Sequence, residues 1–283
     1  MHKFMLILKY RIFELIRFIK NLFLGGSLMK ILVLLKQTFD TEEEIVLVDG
    51  QLNENGVKFV INPYDEYALE EAIVLKEKFG GEVTAVTVGP ARAEAALRAA
   101  LAVGVDHAII VDDESLFGDE YKIAKVLAAV AKRDTYDVII GGHMAVDDGA
   151  AQVGPRLAEE LAIPHISTIM KLEIEDGKAR VEKDVEGDVE IIEVALPVLV
   201  TAQQGLNEPR YPSLPGIMKA KKKTIERLTA ADLNINTAEL VSKTAILEQY
   251  LPEKKQAGKV LAGELNEQTS QLVDLLRNEV KVV

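Results

Sequence analysis

From Lys30 onward, short apolar runs alternate with stretches whose apolar residues recur every three or four positions. That alternation is the pattern of parallel strands joined by amphipathic crossover helices, with helices on both faces of the sheet. The runs at 30–36, 83–88, 107–111 and 138–141 predict strands. Between them Ala68, Ala72, Leu75 and Phe79 share one helical stripe, Ile123, Val126, Leu127 and Val130 a second, and Val153, Leu157 and Leu161 a third. Such stripes are core faces. The fold class expected is α/β, doubly wound, with a mostly parallel sheet.

Two interruptions break this rhythm. After the first strand, 45–48, a turn at Asp49-Gly50 and 57–61 predict a β-hairpin with a loose loop at the sheet edge. Further on, 168–174 and 179–184 predict antiparallel strands hinged at Asp176-Gly177, before the run 191–201 returns. Residues 203–215, QQGLNEPRYPSLP, have neither period and hold three prolines, which predicts an exposed, stiffened loop suited to contact. Beyond Lys223 the chain is polar with scattered leucines and ends in a helical stretch at 266–280, an arm rather than a second core. The expected division is a leader at 1–28, a domain at 29–225 and an arm at 226–283.

Composition narrows the function more than the fold. With 283 residues, 48% hydrophobic and 28% charged, the chain is an ordinary globular protein. It has no cysteine, which excludes disulfides, thiolate metal sites and a cysteine nucleophile, and suits a cytoplasmic setting. A net charge of -12 excludes a general nucleic-acid binder, which needs a broad basic surface. Residues 1–28 differ: five Lys/Arg against Glu14 leave them at +4 and the remainder at -16. Wound as a helix they align Phe4, Leu8, Ile12, Leu15, Ile19 and Leu22, but their charges interrupt any clean membrane span. Three readings of the leader stand open: a true start at Met29, a helix lying on a membrane surface, and a cleaved targeting segment.

The chemistry concentrates at 138–153, Val138-Ile139-Ile140-Gly141 and then Gly142-His143-Met144-Ala145-Val146-Asp147-Asp148-Gly149-Ala150-Ala151-Gln152-Val153, which leaves a buried strand, turns on glycines and enters a helix. Ligands of α/β sheets bind beyond the carboxyl ends of the strands, where helix-start amides attract phosphate oxygens. Every domain of this class has such a turn, however, and Asp147 or Asp148 would equally serve as an N-cap. The segment matches neither GxGxxG nor GxxxxGK[ST], so dehydrogenase and P-loop chemistry are disfavoured. Asn62-Pro63-Tyr64-Asp65-Glu66 reads as a cap, a proline at the first helical position and acids in the first turn, and offers a second amide-rich arm to the same pocket. His107, His143 and His165 show no metal spacing, no serine sits in a nucleophile elbow, and no acid–base pair stands out. Lys219, Lys221, Lys222 and Lys223 form a basic run, either simply solvated or steering an acidic partner.

Leu206-Asn207-Glu208-Pro209-Arg210-Tyr211, then Leu214-Pro215 and Ile217-Met218-Lys219-Ala220-Lys221-Lys222-Lys223, resembles the signature of bacterial-type electron-transfer flavoprotein beta subunits. The likeness runs from about Met29 to Leu233 and includes NPYDEYALEEA, VGPARAE and DDGAAQVGP in family order. It implies a Rossmann-like, adenine nucleotide alpha hydrolase-like domain in a heterodimer with an alpha subunit that carries the redox-active FAD. It further implies a structural AMP in this subunit, held by Leu34, by Asn62, Pro63, Tyr64 and Asp65, by Val88, and by the stretch Gly142 to Val153. Leu214 would anchor a recognition loop, with Pro215, Ile217, Met218 and Lys219, on acyl-CoA dehydrogenases and related flavin dehydrogenases, with a quinone reductase downstream. The tail would clasp the alpha subunit, leaving an electron carrier rather than an enzyme.

Two features depart from the family pattern. The leader has no counterpart, and NPYD stands where NPFC or NPFD is common. The tyrosine form also occurs in the branch whose beta subunit holds a second FAD and bifurcates electrons from NADH, whereas the QGLNEPRYPSLPGIMKAKKK loop favours the AMP branch. A stand-alone adenine-nucleotide sensor or hydrolase of the same fold is the third reading.

Overall fold

The computed structural model describes residues 28–253 and 257–282, so the readings placed on 1–27 lie outside the described residues. Strand β1 (Met29–Leu34) shows why the sheet forms. Its Ile31, Leu32 and Val33 are wholly buried, which a strand achieves only when both faces are covered. It pairs in parallel with β6 (Gly81–Val88) and β8 (Val138–Gly142). On the β6 side follow β7 (His107–Val111) and β13 (Glu226–Leu228). On the β8 side follow β12 (Val198–Ala202), β9 (His165–Glu175), β10 (Lys178–Val185) and β11 (Asp188–Ala195). Among the described residues this is one nine-stranded sheet, parallel from β9 to β13 and antiparallel only at β9, β10 and β11.

Alternation within β1 sorts the core into two layers. Ile31 and Val33 face α1 (Pro63–Phe79) and α2 (Glu94–Val103), packing with Ala68, Ala72, Leu75 and Leu97. Leu32 and Leu34 face α3 (Glu120–Ala131) and α4 (Val153–Leu161), packing with Val126, Leu127, Val130 and Leu157. All three expected stripes therefore lie on core faces. From β1 the chain runs outward through β6 and β7, then returns by α3 to β8 on the other side of β1. The reversal opens a crevice between β1 and β8 at their carboxyl ends, the position where such sheets take ligands.

Several expectations need correction. The hairpin joining 45–48 to 57–61 does not form; β5 (Phe59–Ile61) pairs instead with β2 (Gln37–Phe39), and Phe39 and Phe59 meet at a ring separation of 5.0 Å. The run 191–201 is two strands, β11 and β12, because Leu196-Pro197 interrupts the ladder. The turn at Asp176-Gly177 stands, with both residues at positive φ as a two-residue hairpin demands. Leu214 and Pro215 do not end a loop but open helix α5 (Leu214–Ala220), capped by the Ser213 hydroxyl, which accepts from the Gly216 N–H at 3.1 Å. Strand β13 lies past residue 225, inside the stretch read as arm.

Of the described residues, 46–52, 247–253 and 257–282 form a separate contact unit. In it β3 (Leu47–Val48) pairs with β4 (Gln51–Leu52) across Asp49-Gly50, so that turn does close a hairpin, only a much shorter one. Its helix α6 (Leu265–Leu275) starts with a capping box between Glu264 and Glu267 and buries none of its residues. Among the described residues no helix is long and apolar enough to cross a membrane.

Candidate functional site

The crevice beyond β1 and β8 encloses about 140 Å³. Leu34, Val86 and Val88 from the strands, with Ile123 and Leu127 from α3, make an apolar slot. The polar part of its lining comes from Lys36, Asn62, Asp148 and the loop residues 142–145 and 150–154. An apolar recess closed by a few convergent polar groups is the usual build of a small-molecule site. Of the residues singled out from sequence, Leu34, Asn62, Asp65, Val88, Gly142, His143, Met144, Ala145, Asp148, Ala150, Ala151, Gln152 and Val153 line it. Pro63, Tyr64, Val146, Asp147 and Gly149 are not among the lining residues.

Asn62 and Asp65 form the hub that joins the two arms. Asn62 occupies the N-cap position of α1, but its side chain makes no cap bond. Instead its Nδ2 donates to the Met144 carbonyl at 2.9 Å and to Asp65 Oδ1 at 3.0 Å, while its Oδ1 accepts from the Val146 N–H at 3.1 Å. Asp65 accepts further from the Lys36 N–H at 2.6 Å and the Gly142 N–H at 2.9 Å. One buried carboxylate thus ties the end of β1, the start of α1 and the end of β8 together. Burial pushes the Asp65 carboxyl up to about 7, against the pull of these donors. Gly142 is obligatory here, since a Cβ would lie 2.4 Å from Asp65 Oδ1 and 2.6 Å from Tyr64 Cβ.

Neither Asp147 nor Asp148 caps α4, whose N-cap position is Gln152. Both hold Lys36: its Nζ lies 2.7 Å from Asp147 Oδ1 and 2.7 Å from Asp148 Oδ2. Burial opposes the Lys36 charge, yet the two carboxylates override it and the ammonium titrates above its usual value. Among the described residues Lys36 is the one lysine or arginine lining the crevice, and sequence reading missed it. Glu120, Leu35, Val86, Ile123, Leu127 and Gly154 were missed as well. Most come from strand ends and from α3, whose residues read only as core. The first-turn amides of α4 have no intrahelical acceptor, and Gly154 lets that turn sit on β12, where a Cβ would meet Thr201 Cγ2 at 2.7 Å.

His143 packs edge-on against Tyr64, ring centres 4.2 Å apart, and its buried Nδ1 has no hydrogen-bond partner. Burial holds its imidazole below the ordinary value, which keeps it neutral near pH 7. The unpartnered ring nitrogen and the first-turn amides of α4 are the polar groups here that the fold itself leaves unsatisfied. Among the described residues no cluster of His, Asp and Glu could hold a metal ion.

A second candidate surface lies elsewhere on the same unit. Leu214 and Met218 on α5 are exposed, Leu214 at 80%, and Tyr211 just before them is 95% exposed. Pro215 and Lys219 are exposed too, whereas Ile217 turns inward against the core. The basic run is not uniformly solvated: Lys223 Nζ donates to the Val105 carbonyl at 2.6 Å, while Lys219, Lys221 and Lys222 remain exposed.

Residues 49–233 match the electron transfer flavoprotein domain. The chain is 55% identical over 257 residues to the electron transfer flavoprotein subunit beta of Bacillus subtilis (strain 168), covering 90% of this chain and all of that protein. It is 43% identical to the subunit beta of Syntrophomonas wolfei, over 90% of this chain and 98% of the relative. The mitochondrial subunit beta of Arabidopsis thaliana is 36% identical over 90% of this chain and its own full length.

Proposed function

The chain belongs to the electron transfer flavoprotein family as a bacterial-type beta subunit, and from that premise we propose that it binds AMP structurally in the β1/β8 crevice and docks flavin dehydrogenases. Its role is in electron transfer. In this reading it pairs with an alpha subunit whose FAD supplies the redox chemistry, accepting electrons from acyl-CoA dehydrogenases or related enzymes and passing them toward a quinone reductase. The chain itself is a carrier subunit, working in the cytoplasm as its cysteine-free composition suits.

The observation that carries the nucleotide assignment is the join of an apolar slot to an amide-rich mouth. Leu34, Val86, Val88, Ile123 and Leu127 suit a purine face, and the loop from Gly142 to Gly154 ends at helix-start amides that favour phosphate oxygens. Lys36 lines the same crevice but is already paired with Asp147 and Asp148, so the anion contact falls to the amides. For docking, Leu214 is an exposed apolar anchor beside exposed lysines, a small contact suited to transient encounter with an acidic rim.

The test is extraction of bound nucleotide from the heterodimer purified with its alpha subunit. One AMP and one FAD per heterodimer is the expected result. Two FAD without AMP would move the chain to the bifurcating branch, in which the crevice holds a second flavin. A stable chain that recovers neither flavoprotein partner nor adenylate would overturn both, and point to a stand-alone nucleotide sensor or hydrolase.

A further inference from the structure

Two buried acids on α1 have no part in the crevice. Glu70 and Glu71 are 7% and 6% exposed, one to two turns beyond Asp65. Burying a carboxylate is costly unless it is paired and hydrogen-bonded. The partners of both come from the 203–213 loop, 136 to 140 positions away in sequence. Arg210 Nε donates to the two Glu70 oxygens at 3.0 and 2.9 Å, and one Nη donates to Glu70 Oε1 at 2.8 Å. The guanidinium also reaches Glu77 at 2.6 and 3.1 Å, and the Arg210 backbone N–H donates to Glu70 Oε2 at 3.1 Å. Asn207 Nδ2 donates to the Tyr67 carbonyl at 3.0 Å and to Glu71 at 3.1 Å. One arginine fork, one amide and three glutamates on a single helix therefore hold a segment that has no ladder or helix of its own.

The far end of the exposed segment is pinned as well. Arg98 donates to the carbonyls of Ala220 at 2.9 Å and Lys223 at 2.5 Å, and α5 lies so close to α2 that a Cβ on Gly216 would meet the Ala102 carbonyl at 2.2 Å. Between these two fixed points stand Tyr211, Leu214 and Met218, all exposed. Fixing a contact segment in its bound shape removes the ordering cost that binding otherwise bears.

We infer that Arg210, clamped by Glu70 and Glu77, is a positioning residue that presets the docking segment, and that Tyr211 is a second anchor beside Leu214. This rests on the docking reading above. A planar fork engaging two carboxylates is what arginine provides and lysine does not, so Arg210→Lys retains the charge while losing the geometry.

The experiment uses the purified heterodimer, with an acyl-CoA dehydrogenase as the varied electron donor, and compares Arg210→Ala, Arg210→Lys, Leu214→Ala and the Arg210→Ala/Leu214→Ala double variant. Arg210→Ala raises KM for the dehydrogenase about tenfold with kcat within about twofold, and Arg210→Lys falls between it and the parent. In the Arg210→Ala background the further effect of Leu214→Ala shrinks to about twofold, since the anchor is no longer held in place. Tyr211→Ala, measured in the same series, raises KM with bound nucleotide unchanged; a parental KM there would remove the second anchor. If Leu214→Ala raises KM but both Arg210 variants keep the parental value, whatever their melting temperatures, the positioning role is wrong and the docking reading survives. Should Leu214→Ala itself match the parent, the docking reading falls and the clamp with it.

Discussion

At Asp65, burial and hydrogen bonding pull in opposite directions. Three N–H donors, from Lys36, Asn62 and Gly142, converge on a side chain that burial drives up to about 7. An unfolded aspartate titrates near 3.8, so between those values the folded chain holds a proton that the unfolded chain releases. This group's contribution to stability is therefore fully present below the lower value and is lost as pH rises through about 7. Asp65→Asn has one acceptor oxygen for three donors and leaves at least one buried N–H unmatched, costing about 1–3 kcal/mol at neutral pH. Urea midpoints of parent and variant at about pH 5 and pH 8 check both points: the parent's advantage over the variant is larger at the lower pH. Equal advantages would mean that Asp65 in the folded chain is already ionised at pH 5. The sequence showed Asp65 as a helix first-turn acid and Asn62 as a cap, both ordinary roles. That they bond across to the 142–146 loop depends on two segments about 80 residues apart, and no local pattern carries it. Lys36 escaped for a related reason: a lysine after a strand is common, and its aspartates are named only by the fold.

The α5 element depends on a residue distant in sequence. It spans seven residues, too few to persist by helix propensity alone. The Ala220 carbonyl at its end and the Lys223 carbonyl just past it accept from the Arg98 guanidinium, which also pairs with Glu94 one turn away. Arg98→Ala removes these charge-assisted bonds and is expected to cost about 1–3 kcal/mol. Amide exchange across 214–223 rises in the variant while that of β1 at 31–33 keeps its protection; uniform acceleration would mean that Arg98 supports the whole sheet instead. At this scale the sequence was most readable where burial imposes one period throughout an element. The strands flanking β1 and the stripes of α1, α3 and α4 fall where apolar spacing put them. It failed where pairing was a matter of choice among short strands: 57–61 has the apolar content of a hairpin arm, but its partner is β2, a three-residue strand with no signal of its own. Strand β13 is equally silent, since Glu226 and Arg227 at a sheet edge look like surface.

Across the whole chain the two contact units differ in what holds them. The first closes its sheet at Leu228, and Leu233, Ile235 and Leu240 continue its core beneath α3. The second offers no buried helix residue, while Leu247 is 98% exposed, Val260 96% and Leu265 75%. Ordering such a stretch costs roughly 1–2 kcal/mol per residue in backbone entropy, which burial of that apolar surface would have to offset. Large apolar side chains this exposed mark a surface awaiting a partner. A chain ending at Ile246 is thus expected to keep the melting temperature of the first unit to within a few degrees, since no core residue is removed. Co-expressed with an alpha subunit, the same truncation is expected to lose most of the heterodimer recovered with the full chain. Calorimetry of the truncated chain and size-exclusion recovery of the pair separate the two outcomes. A truncated chain that unfolds outright would make the tail part of the fold, and one that pairs at full yield would leave its exposed leucines without the partner proposed for them.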